Sequence, residues 1–114
     1  MTNLLKETEE ILTEHNLSNK DVLWVGSRDL WTAWDNFKAV ANVDYDSGYG
    51  VQEVMPDLLI VGKYWWLERH EYDGLEWWEF KQLPERPDKN LTIKAVVRSE
   101  YEDSLLELNQ GSHK

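Results

Sequence analysis

Residues 65–78 read Trp65-Trp66-Leu67-Glu68-Arg69-His70-Glu71-Tyr72-Asp73-Gly74-Leu75-Glu76-Trp77-Trp78. Trp-Trp-Leu-Glu before Asp73-Gly74 is mirrored by Leu-Glu-Trp-Trp after it. Asp-Gly between aromatic, alternating runs signals a β-hairpin, because glycine accepts the positive φ that tight turns between twisted strands require. Neighbours on a strand point to opposite faces, so each tryptophan doublet puts one indole on each face, whatever the register. One face can be core. The other has to be covered by another part of the chain, a second subunit or a ligand.

Two registers are open. A two-residue turn sets Tyr72 opposite Leu75, His70 opposite Trp77, Glu68 opposite Glu79 and Trp66 opposite Lys81, with Arg69–Trp78 and Leu67–Phe80 on the other face. A three-residue loop with a bulge at Gly74 shifts the pairing by one, to Trp66–Phe80 and Glu68–Trp78. The second avoids two directly opposed glutamates, which repel, and it is the register expected here. In both, Trp65, Leu67 and Arg69 share a face while Tyr64, Trp66 and His70 share the other. In both, Arg69 can stack on an indole, a contact worth roughly 0.5–2 kcal/mol.

The flanks complete an α+β pattern. Leu4, Leu5, Ile11 and Leu12 fall on one side of an amphipathic helix over residues 3–15, ending near Asn16. Val22–Val25 reads as a first strand before Gly26. A second helix is expected to start at Thr32, capped by its hydroxyl with Asp35 reaching back, and to bury a stripe of Trp31, Trp34, Phe37 and Val40 or Ala41. Asn42–Gly50 has the composition of a surface loop. Val51–Met55 suggests a short strand stopped by Pro56. Leu58–Val61, Tyr64–Tyr72 and Leu75–Leu83 then make an antiparallel meander. Pro84–Asn90 breaks it. Leu91, Ile93, Ala95 and Val97 alternate as one more strand, and Ser99 with Glu102 caps a final helix carrying Tyr101, Leu105 and Leu108, with residues 110–114 frayed. The expected architecture is a small antiparallel sheet, a meander whose tryptophan-rich hairpin spans 64–83, packed with about three helices. No repeat or linker interrupts residues 1–114, which read as a single domain.

There is no cysteine, hence no disulfide, thiolate nucleophile or Cys-based metal site. The start, Met-Thr-Asn-Leu-Leu-Lys-Glu, has no basic segment followed by an apolar run, so neither a signal peptide nor a membrane span is expected, and the expected location is cytoplasmic. The net charge is −10. It divides as −2 over residues 1–20, −4 over 21–63, −1 over 64–98 and −3 over 99–114. Such a chain repels phosphate and anionic lipid, so direct nucleic-acid binding is not expected, whereas a basic partner is allowed.

Catalytic and metal motifs fail on inspection. Glu68, His70, Glu71, Glu76 and Glu79 are raw material for acid/base work, but carboxylates on a solvated hairpin are far commoner than catalytic pairs. His70-Glu71 lacks the second histidine of a zinc-protease helix. Asp44-Tyr-Asp46-Ser-Gly48 resembles the start of a calcium loop, but its glycine comes one position early and Met55 stands where the bidentate glutamate belongs. No phosphate loop or dinucleotide fingerprint is present. No enzyme activity and no cofactor are expected.

The stretch from Asp44 to Lys81, with Asp-Tyr-Asp-Ser-Gly-Tyr-Gly, Asp57-Leu-Leu-Ile-Val-Gly and the two Trp-Trp runs about Asp73-Gly74, resembles small proteins of unassigned function encoded by phages and prophages of Gram-positive bacteria. The resemblance implies a cytoplasmic accessory protein and carries over no site residues. Together with the indoles it favours a non-enzymatic protein-interaction module, whose candidate binding residues are Trp65, Trp66, Arg69, His70, Tyr72, Trp77 and Trp78. Such residues combine apolar area, a polar handle and little rotamer entropy. The partner would be a host or phage protein of basic character. The alternative is a small-ligand or carbohydrate-binding module using exposed indoles. A homodimer through the hairpin is compatible with both.

Overall fold

In the computed structural model, which describes residues 1–48, 50–98 and 104–110, the chain runs β1 (Thr2–Asn3), α1 (Leu4–Glu14), β2 (Trp24–Gly26), β3 (Trp31–Thr32), α2 (Trp34–Ala41), β4 (Asp44–Tyr45), β5 (Leu59–Val61), β6 (Trp65–Tyr72), β7 (Leu75–Gln82) and α3 (Leu105–Asn109). The fold is α+β. It divides at Pro84 into two compact units, Met1–Leu83 and Pro84–Lys114.

The first unit holds an antiparallel five-stranded sheet in the order β3-β2-β5-β6-β7 and a two-stranded β1–β4 ribbon. Asp73 and Gly74 both have positive φ, +51° and +87°, the signature of a type I′ two-residue turn. That turn enforces the register Tyr72–Leu75, His70–Trp77, Glu68–Glu79 and Trp66–Lys81, so the expected bulged register is corrected. The repulsion that argued against this pairing is relieved by hydrogen-bonding and charged partners. His70 stands between the opposed carboxylates, with Nε2 2.6 Å from Glu68 and Nδ1 3.3 Å from Glu79, and Lys81 lies 3.2 Å from Glu79.

Asn3 caps α1 by accepting the Lys6 amide, and the helix ends where Asn16 turns left-handed at φ +59°. Its inward row is Leu4, Thr8 and Leu12. α1 lies against β7 and α2 against β2. Between the helices and the sheet are Val25, Ile60, Leu67, Trp65 and Trp78 from the strands, with Trp34, Phe37 and Ala41 from α2. Each buried tryptophan removes roughly 150–250 Å² from water, on the order of 4–6 kcal/mol gross. Gly62 is required for one of them: a Cβ there would run into the Trp65 indole.

Several expectations give way to tertiary partners. α2 starts at Trp34 with Ala33 as an N-cap that makes no side-chain bond. Thr32 belongs to β3 and donates its hydroxyl to Asn36. Trp31, also in β3, is therefore outside the helical stripe and 71% exposed; of Val40 and Ala41, it is Ala41 that is buried. Asn42–Gly50 is not wholly a surface loop, because Tyr45 in β4 is buried. Val51–Met55 forms no strand: the amides of Glu53 and Val54 donate to the Glu76 carboxylate instead of a ladder.

In the second unit the described residues 91–97 form no strand. The Asn109 side chain takes the role of a neighbouring strand, accepting from the amides of Lys94 and Ala95 (2.7 and 3.0 Å) and donating to the carbonyls of Ala95 and Leu105. α3 is capped by Ser104, which accepts the Glu107 amide. The expected Ser99–Glu102 cap, Tyr101 and the tail from 111 lie outside the described residues.

Candidate functional site

Period-two alternation across β6 and β7 makes two clusters back to back. On the inner face, Arg69 reaches Glu76 at 2.8 Å and Glu7 of α1 at 3.4 Å, and the Arg69 and Glu76 side chains are 0% exposed. Arg69 also donates to the Tyr45 hydroxyl at 3.0 Å, and that hydroxyl donates to Glu7 at 2.6 Å. The guanidinium carbon sits 4.8 Å from the Trp78 ring centroid, the expected indole stack. Its Nε alone is buried without a partner. The Trp78 indole N–H donates to Thr8, whose hydroxyl donates to the Leu4 carbonyl. Burial opposes the Arg69 charge, yet bonds from Tyr45 and Glu76 and the charge of Glu7 raise its pKa. Burial first, then the Glu7 hydrogen bond, pushes the Tyr45 phenol up to about 12.

The outer face is assembled by the ladder registers. Trp31 pairs with Gly26, Gly26 with Leu59, and Leu59 with Glu68; in the next row Trp24 pairs with Val61 and Val61 with Trp66. With Trp77 this face carries four of the seven tryptophans. Trp24, Trp66 and Trp77 are half-buried, and Trp31 is open. The polar centre is the Glu68–His70–Glu79–Lys81 chain, to which the Trp66 indole N–H adds a 2.7 Å bond to Glu68. The His70 hydrogen bond, then that of Trp66, lowers the pKa of Glu68; the Lys81 hydrogen bond leads the lowering of Glu79. At the β2–β3 end the face hollows into a groove of about 490 Å³ with Leu23, Trp24, Arg28 and Trp31 among its walls.

The seven candidate residues therefore divide. Trp66, His70, Tyr72 and Trp77 lie on the outer face, and Tyr72 is exposed. Trp65, Arg69 and Trp78 are buried inside the first unit, and this corrects their assignment to a binding surface: α1 and β4 cover the side they occupy. Trp24 and Trp31 belong with the outer set and were missed. Trp24 lies in a run with no alternation, and Trp31 fits helical spacing as well as it fits a strand.

Among the described residues no group of three or more His, Cys, Asp or Glu could hold a metal ion, and no helix is long and apolar enough to cross a membrane. No family model matches the chain, and no curated protein or solved structure matches it significantly.

Proposed function

We propose that the chain is a non-enzymatic interaction module that binds a partner protein through the outer face of the sheet, as a phage or prophage accessory protein acting in the cytoplasm. The observation that carries the reading is the row of Trp31, Trp24, Trp66 and Trp77 on one sheet face, with Leu59 and Val61 between them. Large rigid aromatics around a small polar centre are the usual make-up of a binding hot spot. The polar centre is already bonded internally, so a partner gains mainly by covering apolar area. The acidic balance of the chain favours a basic partner and speeds its approach. The test compares affinity capture from a host lysate by the wild type and by a Trp31→Ala/Trp66→Ala/Trp77→Ala variant. The wild type should retain a defined partner that the variant loses at least tenfold; equal capture by both would end this reading.

The groove beside Trp24 and Trp31 supports a second reading, a small-ligand or carbohydrate site, since it has the volume and the aromatic walls of one. Quenching of tryptophan fluorescence by a neutral oligosaccharide, abolished by Trp24→Ala, would favour it over the first.

A further inference from the structure

We infer that the first unit has a second docking site, sharing no residue with the outer sheet face, in the groove between the end of α2 and residues 53–58, and that it receives a basic peptide segment of a partner protein, an apolar side chain flanked by Lys or Arg. The groove has a volume of about 370 Å³, some twelve water volumes at ~30 Å³ each. Its floor is the core itself, the buried Phe37, Ala41, Tyr45 and Val54. Its walls are apolar residues left in water: Val40, Val43 and Met55 are 67%, 51% and 64% exposed. Three such residues around one depression differ from the scattered apolar side chains of an ordinary surface.

Charge selects the occupant. Two carboxylates, Asp44 and Glu53, line the groove, and among the described residues no Lys, Arg or His does. The Glu53 carboxylate has no partner among the described residues, because only its backbone amide is used, and Asp44 accepts only a 3.4 Å contact from Asn3. Residues 1–83 hold sixteen carboxylates against seven Lys and Arg, so the surrounding field also draws cations. The open walls suit a segment laid across the groove, since a small molecule needs a site that buries most of its surface. Met55 supplies an unbranched thioether that conforms to varied side chains. The Glu53–Val54 wall is fixed in advance: both amides are held by Glu76 at 2.7 and 3.2 Å, and Glu76 is held by Arg69. Binding thus orders little of the protein.

The experiment titrates the full chain with a short leucine–lysine amphipathic peptide and with counterparts in which every lysine is glutamine or glutamate, following the methyl signals of Val40, Val43 and Met55. The lysine peptide should shift these methyls, and 0.5 M salt should weaken it. Glu53→Lys should weaken it about tenfold and the neutral Val40→Asn should weaken it severalfold, while Trp31→Ala and Trp66→Ala leave it unchanged. Both groove substitutions replace exposed side chains, and an unchanged thermal midpoint confirms an intact fold. Equal binding of the glutamine peptide, preference for the glutamate peptide, shifts confined to the tryptophan face, or no shift at any concentration would each overturn the inference. The methyls of Val40, Val43 and Met55 lie away from the sheet face, so they report on the groove whether or not that face binds a partner.

Discussion

Back to back on one hairpin sit two ion clusters made from nearly the same groups. The inner one joins Arg69 to Glu76 and Glu7; the outer one joins His70 and Lys81 to Glu68 and Glu79. What separates them is water. The inner guanidinium and Glu76 carboxylate are fully sealed, tied to α1, β4 and the 53–54 backbone, so the cluster functions as a rivet. The outer groups are about one third exposed, and solvent screens them. Similar groups are structural on one face and screened by water on the other, and the screened face is the one left partly open to solvent.

The hardest blow to this contrast would come from Arg69. Arg69→Met strands two carboxylates beside the core, and urea unfolding should show a loss of about 3–5 kcal/mol. Arg69→Met/Glu76→Leu should recover only part of it, because the amides of Glu53 and Val54 then lose their acceptor. A loss near zero in the single variant would mean that the inner cluster is no more structural than the outer. Next is Thr8→Val, which leaves the Trp78 indole N–H buried without an acceptor; the expected cost is about 1–3 kcal/mol, against no change for Thr13→Val on the exposed side of the same helix.

A titration sharpens the comparison further. The folded pKa of Tyr45 is raised from 10.0 to about 12, so folding favours its protonated form. That contribution is complete below pH 10 and is lost as pH rises toward 12. Tyr45→Phe should be less stable than wild type at neutral pH and should lack this alkaline decline, as followed by unfolding midpoints with phenolate absorbance.

The outer cluster runs the opposite way and gives the smallest effect. The pKa values of Glu68 and Glu79 are lowered, so their contribution is present above the ordinary carboxylate range and is lost as pH falls through the lowered values. His70→Ala should destabilise slightly at neutral pH and low salt, with the difference vanishing in strong acid. A difference that persists there would show that His70 acts through packing against Trp77.

Much of this molecule could be read in advance from local chemistry. Asp73-Gly74 announced the hairpin, Asn3 to Asn16 bounded the first helix, and the repeating apolar runs gave the meander. Other readings failed where a side chain, near or far along the chain, intervened. A histidine two residues from Glu68 made opposed glutamates tolerable, the Glu76 carboxylate took the amides of a would-be strand, and one asparagine stood in for the neighbour that residues 91–97 would have needed. Trp31 defeated periodicity because a two-residue strand is too short to show any.

Two adjacent tryptophans on a strand cannot share a side, and the two-residue period of extended backbone made that certain from the letters alone. Which of each pair would be sealed was decided by α1 and β4, elements some twenty to seventy residues away whose Thr8, Glu7 and Tyr45 close over Trp78 and Arg69. Alternation is a property of neighbouring peptides, whereas burial is a property of whatever the rest of the chain brings against them.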